Sequence, residues 1–242
     1  MSANGDDPVA IIQARMTSSR LPGKVLMDLA GKPALAFMLE RVQRAQRIGR
    51  IVVATTINQA DDAIAAVCAE MSVDIFRGDE MDVLGRFVGA ARWANARSVM
   101  RLTADCPMID PDVVDGAVAI FAEGKHDYVS NCNIRTFPDG LDVEVFTSGA
   151  LIEADANARH PFLREHVTPY IRGIRKELGA GNFRIGHLLA PANFGHVRWT
   201  LDTIADLDRI RELVGRLPEN FGWLAALSEA TRRPHLLGVP VL

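Results

Sequence analysis

Four short runs rich in branched apolar residues recur through the first half of the chain, and each is followed by a segment of helical period. "VAIIQAR" (residues 9–15), "RIVVATT" (50–56), "VDIFRGD" (73–79) and "SVMRLTADCP" (98–107) are the strand candidates. Between them lie "PALAFMLERVQRAQ" (33–46), "ADDAIAAVCAEM" (60–71) and "DVLGRFVGAARWANA" (82–96), and a further helix opens at Pro111. In the first of these, Leu35, Met38, Leu39 and Val42 fall on one helical face, and Pro33 takes the first helical position that proline favours. Strands alternating with helices of about 10–15 residues require βαβ units and a mostly parallel sheet. Right-handed crossovers then place helices on both faces, and ligands bind beyond the carboxyl ends of the strands. That rule lines up "ARMTSSRLPGK", "TTINQ", "GDEMD" and "TADCP" along one rim.

The second half is less regular. "DYVSN" (127–131) and "GLDVEVFT" (140–147) carry strand patterns, the latter turning Leu141, Val143 and Val145 to one face and Asp142, Glu144 and Phe146 to the other. Residues 159–178 read as helical with a break near Pro169, and "FGHVRWTLDT" (194–203) as a late strand ending on an acid, before two closing helices. With 242 residues, 48% of them hydrophobic, the chain is long enough for a substantial core in one domain spanning 1–242.

Charge narrows the function. A formal net charge of -3 argues against a general nucleic-acid binder. No apolar run approaches the ~18 residues that span a bilayer. Cys68, Cys106 and Cys132 form no C-x-x-C pair, as expected of reduced thiols in the cytoplasm. The polar, acidic start "MSANGDDP" lacks the pattern of a secretory leader.

The basic cluster after the first strand is therefore a local site. Arg15, Ser19, Arg20 and Lys24 follow an apolar strand directly, and arginine forks beside a mobile lysine suit a triphosphate. A Walker loop needs G-x-x-x-x-G-K-[ST], and here Ser18 stands at the first glycine and Val25 after the lysine. GxGxxG is absent too. Asp105 ends the fourth strand as its lone acid, and Asp202 ends the late one. Two such carboxylates can share one magnesium whose shell is completed by phosphate oxygens and water, while either alone can simply cap a helix. Cys106, beside Asp105, has no cation nearby in sequence to activate it and is read as a packed thiol.

The segments "IIQARMTSSRLPGKVL", "RLTADCPMIDP", "GLDVEVF", "REHVTPYI" and "RWTLDT" together resemble the cytidylyltransferase family, which includes the CMP-sugar synthetases, and most of all its spore-coat polysaccharide branch. The resemblance runs from about Val9 to Leu217. It implies a three-layer α/β/α Rossmann-like fold of the nucleotide-diphospho-sugar transferase type with a mostly parallel, mixed sheet. It implies CTP and magnesium, transfer of CMP to a sugar acid or related polar acceptor, release of pyrophosphate, and a homodimer. By motif, Arg15, Ser19, Arg20 and Lys24 would hold the triphosphate, with Arg15, Lys24 and Asp105 as the catalytic set. Asp105 and Asp202 would bind magnesium. Ala14, Thr55, Gly78, Asp82 and Arg86 would lie against base or ribose.

On the acceptor side the candidates are Asp142, Glu144, Arg164, Glu165, His166 and Arg198, with residues 140–180 as the acceptor and dimerisation region. A sugar acid would need Arg164 or Arg198 for its carboxylate and acids for its hydroxyls. Two other readings stay open: a nucleotide-sugar-dependent glycosyltransferase, against which "DCP" in place of D-x-D counts, and a nucleotide-binding protein without catalysis.

Overall fold

The computed structural model describes residues 7–238, so the leader reading of the first residues falls largely outside it. Strand β1 (Val9–Gln13) leads into the basic loop and a small hairpin of β2 (Asp28–Leu29) and β3 (Lys32–Pro33). Then follow α1 (Ala34–Val42), β4 (Arg50–Thr56), α2 (Asp62–Glu70), β5 (Asp74–Gly78), α3 (Val83–Trp93), β6 (Ser98–Thr103) and α4 (Pro111–Phe121). The second half supplies β7 (Tyr128–Ser130), β8 (Glu144–Thr147), α5 (Ser148–Asn157), α6 (Pro161–His166), α7 (Pro169–Arg172), β9 (Ile185–His187), α8 (Ile204–Val214) and α9 (Trp223–Arg232). Among the described residues no helix is long and apolar enough to cross a membrane.

Seven strands form one sheet in the order β5-β4-β1-β6-β8-β7-β9. All pairings are parallel except the two that β8 makes, with β6 and with β7, so β8 alone runs backwards in a Rossmann-like sheet. Alternation along β1 divides the interior in two. Ala10 and Ile12 face a core shared with α1, α2, α4, α8 and α9, while Val9 and Ile11 face one shared with α3, α5, α6 and α7. The expected alternation around Glu144 holds as well, with Leu141, Val143 and Val145 in the first core and Phe146 in the second.

Three local expectations need correction. Pro33 precedes the helix rather than opening it: it pairs with Asp28 in the hairpin and α1 starts at Ala34. Only Glu144–Thr147 of "GLDVEVFT" is strand, because Asn131 binds the segment before it through side-chain bonds to Leu141 O at 2.7 Å and Val143 N at 2.9 Å. Residues 194–203 are not a strand. The edge next to β7 belongs to β9, and Val197, Trp199 and Leu201 instead bury themselves in the first core, with a lone bridge from Arg198 to Asp139.

Candidate active site

The chain leaves β1 for β4 and β5 on one side and returns to place β6 on the other, so the sheet reverses its winding order between β1 and β6. A crevice opens beyond the carboxyl ends of these two strands, where open α/β sheets take ligands. It has a volume of about 380 Å³ and is lined by Ala14, Arg15, Ser19, Arg20, Lys24 and Arg86 from one side and Asp105 and Asp202 from the other. Residues brought together from across the whole sequence thus meet in one place.

Local geometry holds the basic loop in shape. Gly23 sits at φ +73°, a left-handed turn that glycine adopts without strain, and its N–H donates to Met16 O at 2.9 Å. Lys24 opens the single 3₁₀ turn that follows and is largely buried. Its ammonium donates to Asp202 Oδ1 at 2.9 Å and to Asp105 Oδ2 at 3.3 Å. Arg20 Nη2 is 2.9 Å from the same Asp202 oxygen, and Arg198 Nη2 donates to Asp202 Oδ2 at 2.8 Å. The two loops bearing the aspartates are joined by backbone as well, Leu201 N donating to Asp105 O at 2.7 Å. Burial opposes ionisation of Asp105, but the charge of Lys24 and the bonds from Thr103 and Lys24 outweigh it and hold its carboxyl below the usual range.

A buried carboxylate that the sequence reading passed over ties the rim together. Asp61 accepts from Met16 N at 2.8 Å, Thr55 Oγ1 at 2.9 Å and Thr56 N at 3.0 Å, pinning the start of the basic loop to the end of β4. Arg15 reaches Glu80 at 3.8 Å, and Glu80 also accepts from Thr17 and from Asn58 Nδ2 at 2.6 Å. Of the residues expected near the base, Thr55 is buried on Asp61, and Gly78 O accepts from Ile57 N at 3.1 Å. Asp82 caps α3 through Gly85 N at 2.9 Å and is gripped by both ends of the Arg164 fork.

The acceptor candidates separate into three groups. Glu165 and His166 line the crevice itself. Burial, then the charges of Arg101 and Arg175, push the His166 imidazole below its ordinary pKa against the pull of Glu165. The next residue, Val167, is at φ +67°, ψ −60°, and Thr168 N closes a bond to His166 O at 2.8 Å. That is the rare γ-turn, strained for a β-branched residue, and it makes the break between α6 and α7. Arg164 and Arg198 are committed elsewhere, Arg164 to Asp82 and Asp155 and Arg198 to Asp202 and Asp206. Asp142 and Glu144 line a smaller cavity next door, together with Arg101, Thr103, Cys132, Arg135 and Arg172. Arg101, which the sequence reading passed over because other strands carry an arginine too, lines both spaces. Cys106 and Cys132 are thiols pushed well above their ordinary pKa, first by burial and then by neighbouring carboxylates, so neither is an activated nucleophile.

The model of the cytidylyltransferase family matches residues 9–220. The chain belongs to the cytidylyltransferase family. As a member it is a nucleotidyltransferase. Among its relatives, the spore coat polysaccharide biosynthesis protein SpsF of Bacillus subtilis is 33% identical over 88% of this chain and 89% of its own. The 3-deoxy-manno-octulosonate cytidylyltransferase of Geobacter sulfurreducens is 28% identical over 92% of this chain and 88% of its own. A solved cytidylyltransferase from Leptospira borgpetersenii superposes with a TM-score of 0.88 at 31% identity, covering 96% of this chain and 97% of that one.

Proposed function

We propose that this cytidylyltransferase moves CMP from CTP to a sugar acid or related polar acceptor, releasing pyrophosphate. The observation that carries the reading is Lys24 held between Asp105 and Asp202 at the end of the basic loop. The crevice lining carries five cationic side chains, Arg15, Arg20, Lys24, Arg86 and Arg101, against three acidic ones, Asp105, Glu165 and Asp202. The resulting excess of two positive charges complements a magnesium-bound nucleoside triphosphate.

Among the described residues no three His, Cys, Asp or Glu side chains gather into a metal cage. Two hard carboxylates beside a phosphate-binding loop nonetheless fit magnesium, which keeps waters and takes phosphate oxygens for the rest of its shell. Asp105 and Asp202 would hold it, and when bound it would neutralise phosphate charge and orient the phosphates. The chain's own residues do the remainder. Arg15 grips the α-phosphate and Arg20 and Lys24 the departing pyrophosphate, where negative charge grows during the step. An acceptor oxygen bonds to the α-phosphorus as the bond to the bridging oxygen breaks, and the acceptor proton leaves to solvent. Lys24 exchanges its carboxylates for phosphate as the nucleotide enters. We further propose one domain acting in the cytoplasm as a homodimer, in the service of surface polysaccharide synthesis. The reading is tested by pyrophosphate release from each of the four nucleoside triphosphates, with and without magnesium. Release from CTP in preference to the others is expected, and turnover of UTP or ATP but not CTP would contradict the base assignment.

A further inference from the structure

Asp202 is held twice, by its side chain and by its backbone, and both grips trace to one buried carboxylate farther along the chain. Its two oxygens have different partners. Oδ1 meets Lys24 and Arg20, both walls of the crevice, while Oδ2 takes Arg198 Nη2 at 2.8 Å. Among the described residues, Arg198 is the one side-chain partner of Asp202 that lies outside the basic loop.

Arg198 is itself anchored. Its second terminal nitrogen, Nη1, donates to Asp206 Oδ1 at 2.7 Å. Asp206 is 4% exposed, and its other oxygen accepts from the backbone N–H groups of Asp202 at 3.1 Å and Thr203 at 2.9 Å. One carboxylate thus fixes the main chain of Asp202 directly and its side chain through Arg198. The capping box of α8 accounts for the bond from Thr203 N. A cap needs no arginine, yet Asp206 Oδ1 carries two, Arg198 and Arg209.

The main chain around Arg198 is clamped from two sides as well. Trp199 N donates to Asp139 O at 2.6 Å, and Arg198 N to Leu237 O at 2.8 Å. Leu237 belongs to the turn Pro234–Leu237, which also takes the Trp199 indole N–H on Leu236 O at 3.2 Å. Gly238 follows at φ +68°, and a Cβ there would stand 2.1 Å from Arg198 O and 2.7 Å from Arg209 Nε. The turn therefore lies directly against the two arginines that Asp206 holds.

Resting on the cytidylyl-transfer reading, in which Asp202 is a magnesium ligand, we propose that Arg198 and Asp206 are positioning residues that orient Asp202 for the metal. Entering nucleotide draws Lys24 and Arg20 from Oδ1 onto phosphate. Arg198, tied to Asp206 and Leu237, stays on Oδ2 and keeps Oδ1 turned into the crevice. Charge and positioning make opposite forecasts here. Arg198 is a cation beside a cation site, so by charge alone its deletion should tighten the metal. If its bridge between two carboxylates fixes the ligand, deletion loosens the metal, as loss of the groups that orient metal ligands does.

The test reads metal affinity apart from turnover. Protein is kept in excess over α,β-methylene-CTP, whose α,β bridge is not cleaved, and Mn²⁺ is titrated in, with the bound ion followed by EPR. Arg198→Met is expected to weaken manganese by about 10- to 100-fold. Arg198→Lys, which keeps the charge but reaches only one carboxylate, should fall between it and the wild type. Asp206→Asn should weaken manganese too, and the double variant should lose less than the product of the two single losses, because the pair acts as one chain. A merely structural role would lower the melting temperature and leave the manganese affinity of the folded variants unchanged. That result, or tighter binding in Arg198→Met, would overturn the proposal. If Arg198→Met does not fold, Arg198→Lys and Asp206→Asn carry the same comparison. Failure of the wild type to bind the analogue, or manganese once the analogue is bound, would instead strike at the cytidylyl-transfer reading with its metal, and this proposal would fall with it.

Discussion

Lys24 Nζ lies 2.9 Å from Asp202 Oδ1, a contact that spans 178 residues of sequence and closes the crevice between the basic loop and the end of the 194–203 segment. On the reading proposed above, the ammonium fills the place between two carboxylates that magnesium would take. Lys24→Met removes both that compensation and a donor to the leaving pyrophosphate. We expect kcat/KM for CTP to fall by about 10²–10³, the usual cost of one preorganised donor at developing charge. Steady-state pyrophosphate release measures it, and a change below threefold would remove Lys24 from the reaction.

Asp105→Asn and Asp202→Asn each keep the shape of the side chain while withdrawing one hard anionic oxygen. The magnesium concentration for half-maximal activity should rise by roughly tenfold or more, because ligand charge sets much of the affinity of such sites. Asp202→Asn should be the more disruptive fold change of the two, since Arg20, Lys24 and Arg198 all converge on Asp202. A magnesium titration of activity decides the matter, and an unshifted midpoint in both variants would refute the metal assignment.

Glu144 makes a stability prediction of a different kind. It is buried against Arg101, so Glu144→Gln leaves a guanidinium without its counter-charge. Removing one partner of such a pair costs about 3–5 kcal/mol, far more than an exposed bridge is worth. Tyr128→Phe deletes one hydrogen bond to the same carboxylate and should cost about 1.5–3 kcal/mol. Urea denaturation of both variants gives the comparison, and equal stability of Glu144→Gln and wild type would show that the pair carries no net weight.

Acid should destabilise the fold. In Asp61, Asp105, Glu144 and Asp206 burial pushes the carboxyl pKa up, but hydrogen bonds and arginine or lysine charges outweigh it and leave each below its ordinary value. A depressed folded pKa means stability that is present above the unfolded value, about 4, and lost as pH falls through the lower folded one. Asp139 runs the other way, raised first by burial and then by Asp142 and Asp105 against Arg135 and Arg198. Its contribution is present below the unfolded value and lost as pH rises through the folded one. Four groups outweigh one, so the urea midpoint should hold near neutrality and fall below pH ~4. Asp61→Asn should flatten that fall, and an acid limb that leaves the midpoint unchanged would contradict it.

What the sequence made legible was local and periodic. The four first-half strands and the basic loop announce themselves because apolar alternation and clustered cations are short-range patterns. The two strand-end aspartates were found for the same reason, although Asp202 turned out to sit on a buried extended segment whose only β-pairing among the described residues is one isolated bridge, Arg198 to Asp139. Asp61 was hidden among cap-like acids in "NQADD", where nothing distinguishes the carboxylate that will anchor Met16 and Thr56 from its exposed neighbour Asp62. Arg164 and Arg198 looked available because their partners, Asp82 and Asp206, come from other elements or other turns. Which arginine is neutralised depends on tertiary pairing, and no sequence period records that.

The central claim is settled most directly by the phosphorus chemistry of the product. The purified protein should be given CTP, magnesium and 3-deoxy-manno-octulosonate and followed by ³¹P NMR. The account predicts one new phosphodiester resonance from CMP joined to the sugar acid, growing in step with inorganic pyrophosphate and absent without magnesium. Formation of CDP with orthophosphate, or a product that retains two phosphates between cytidine and acceptor, would contradict it.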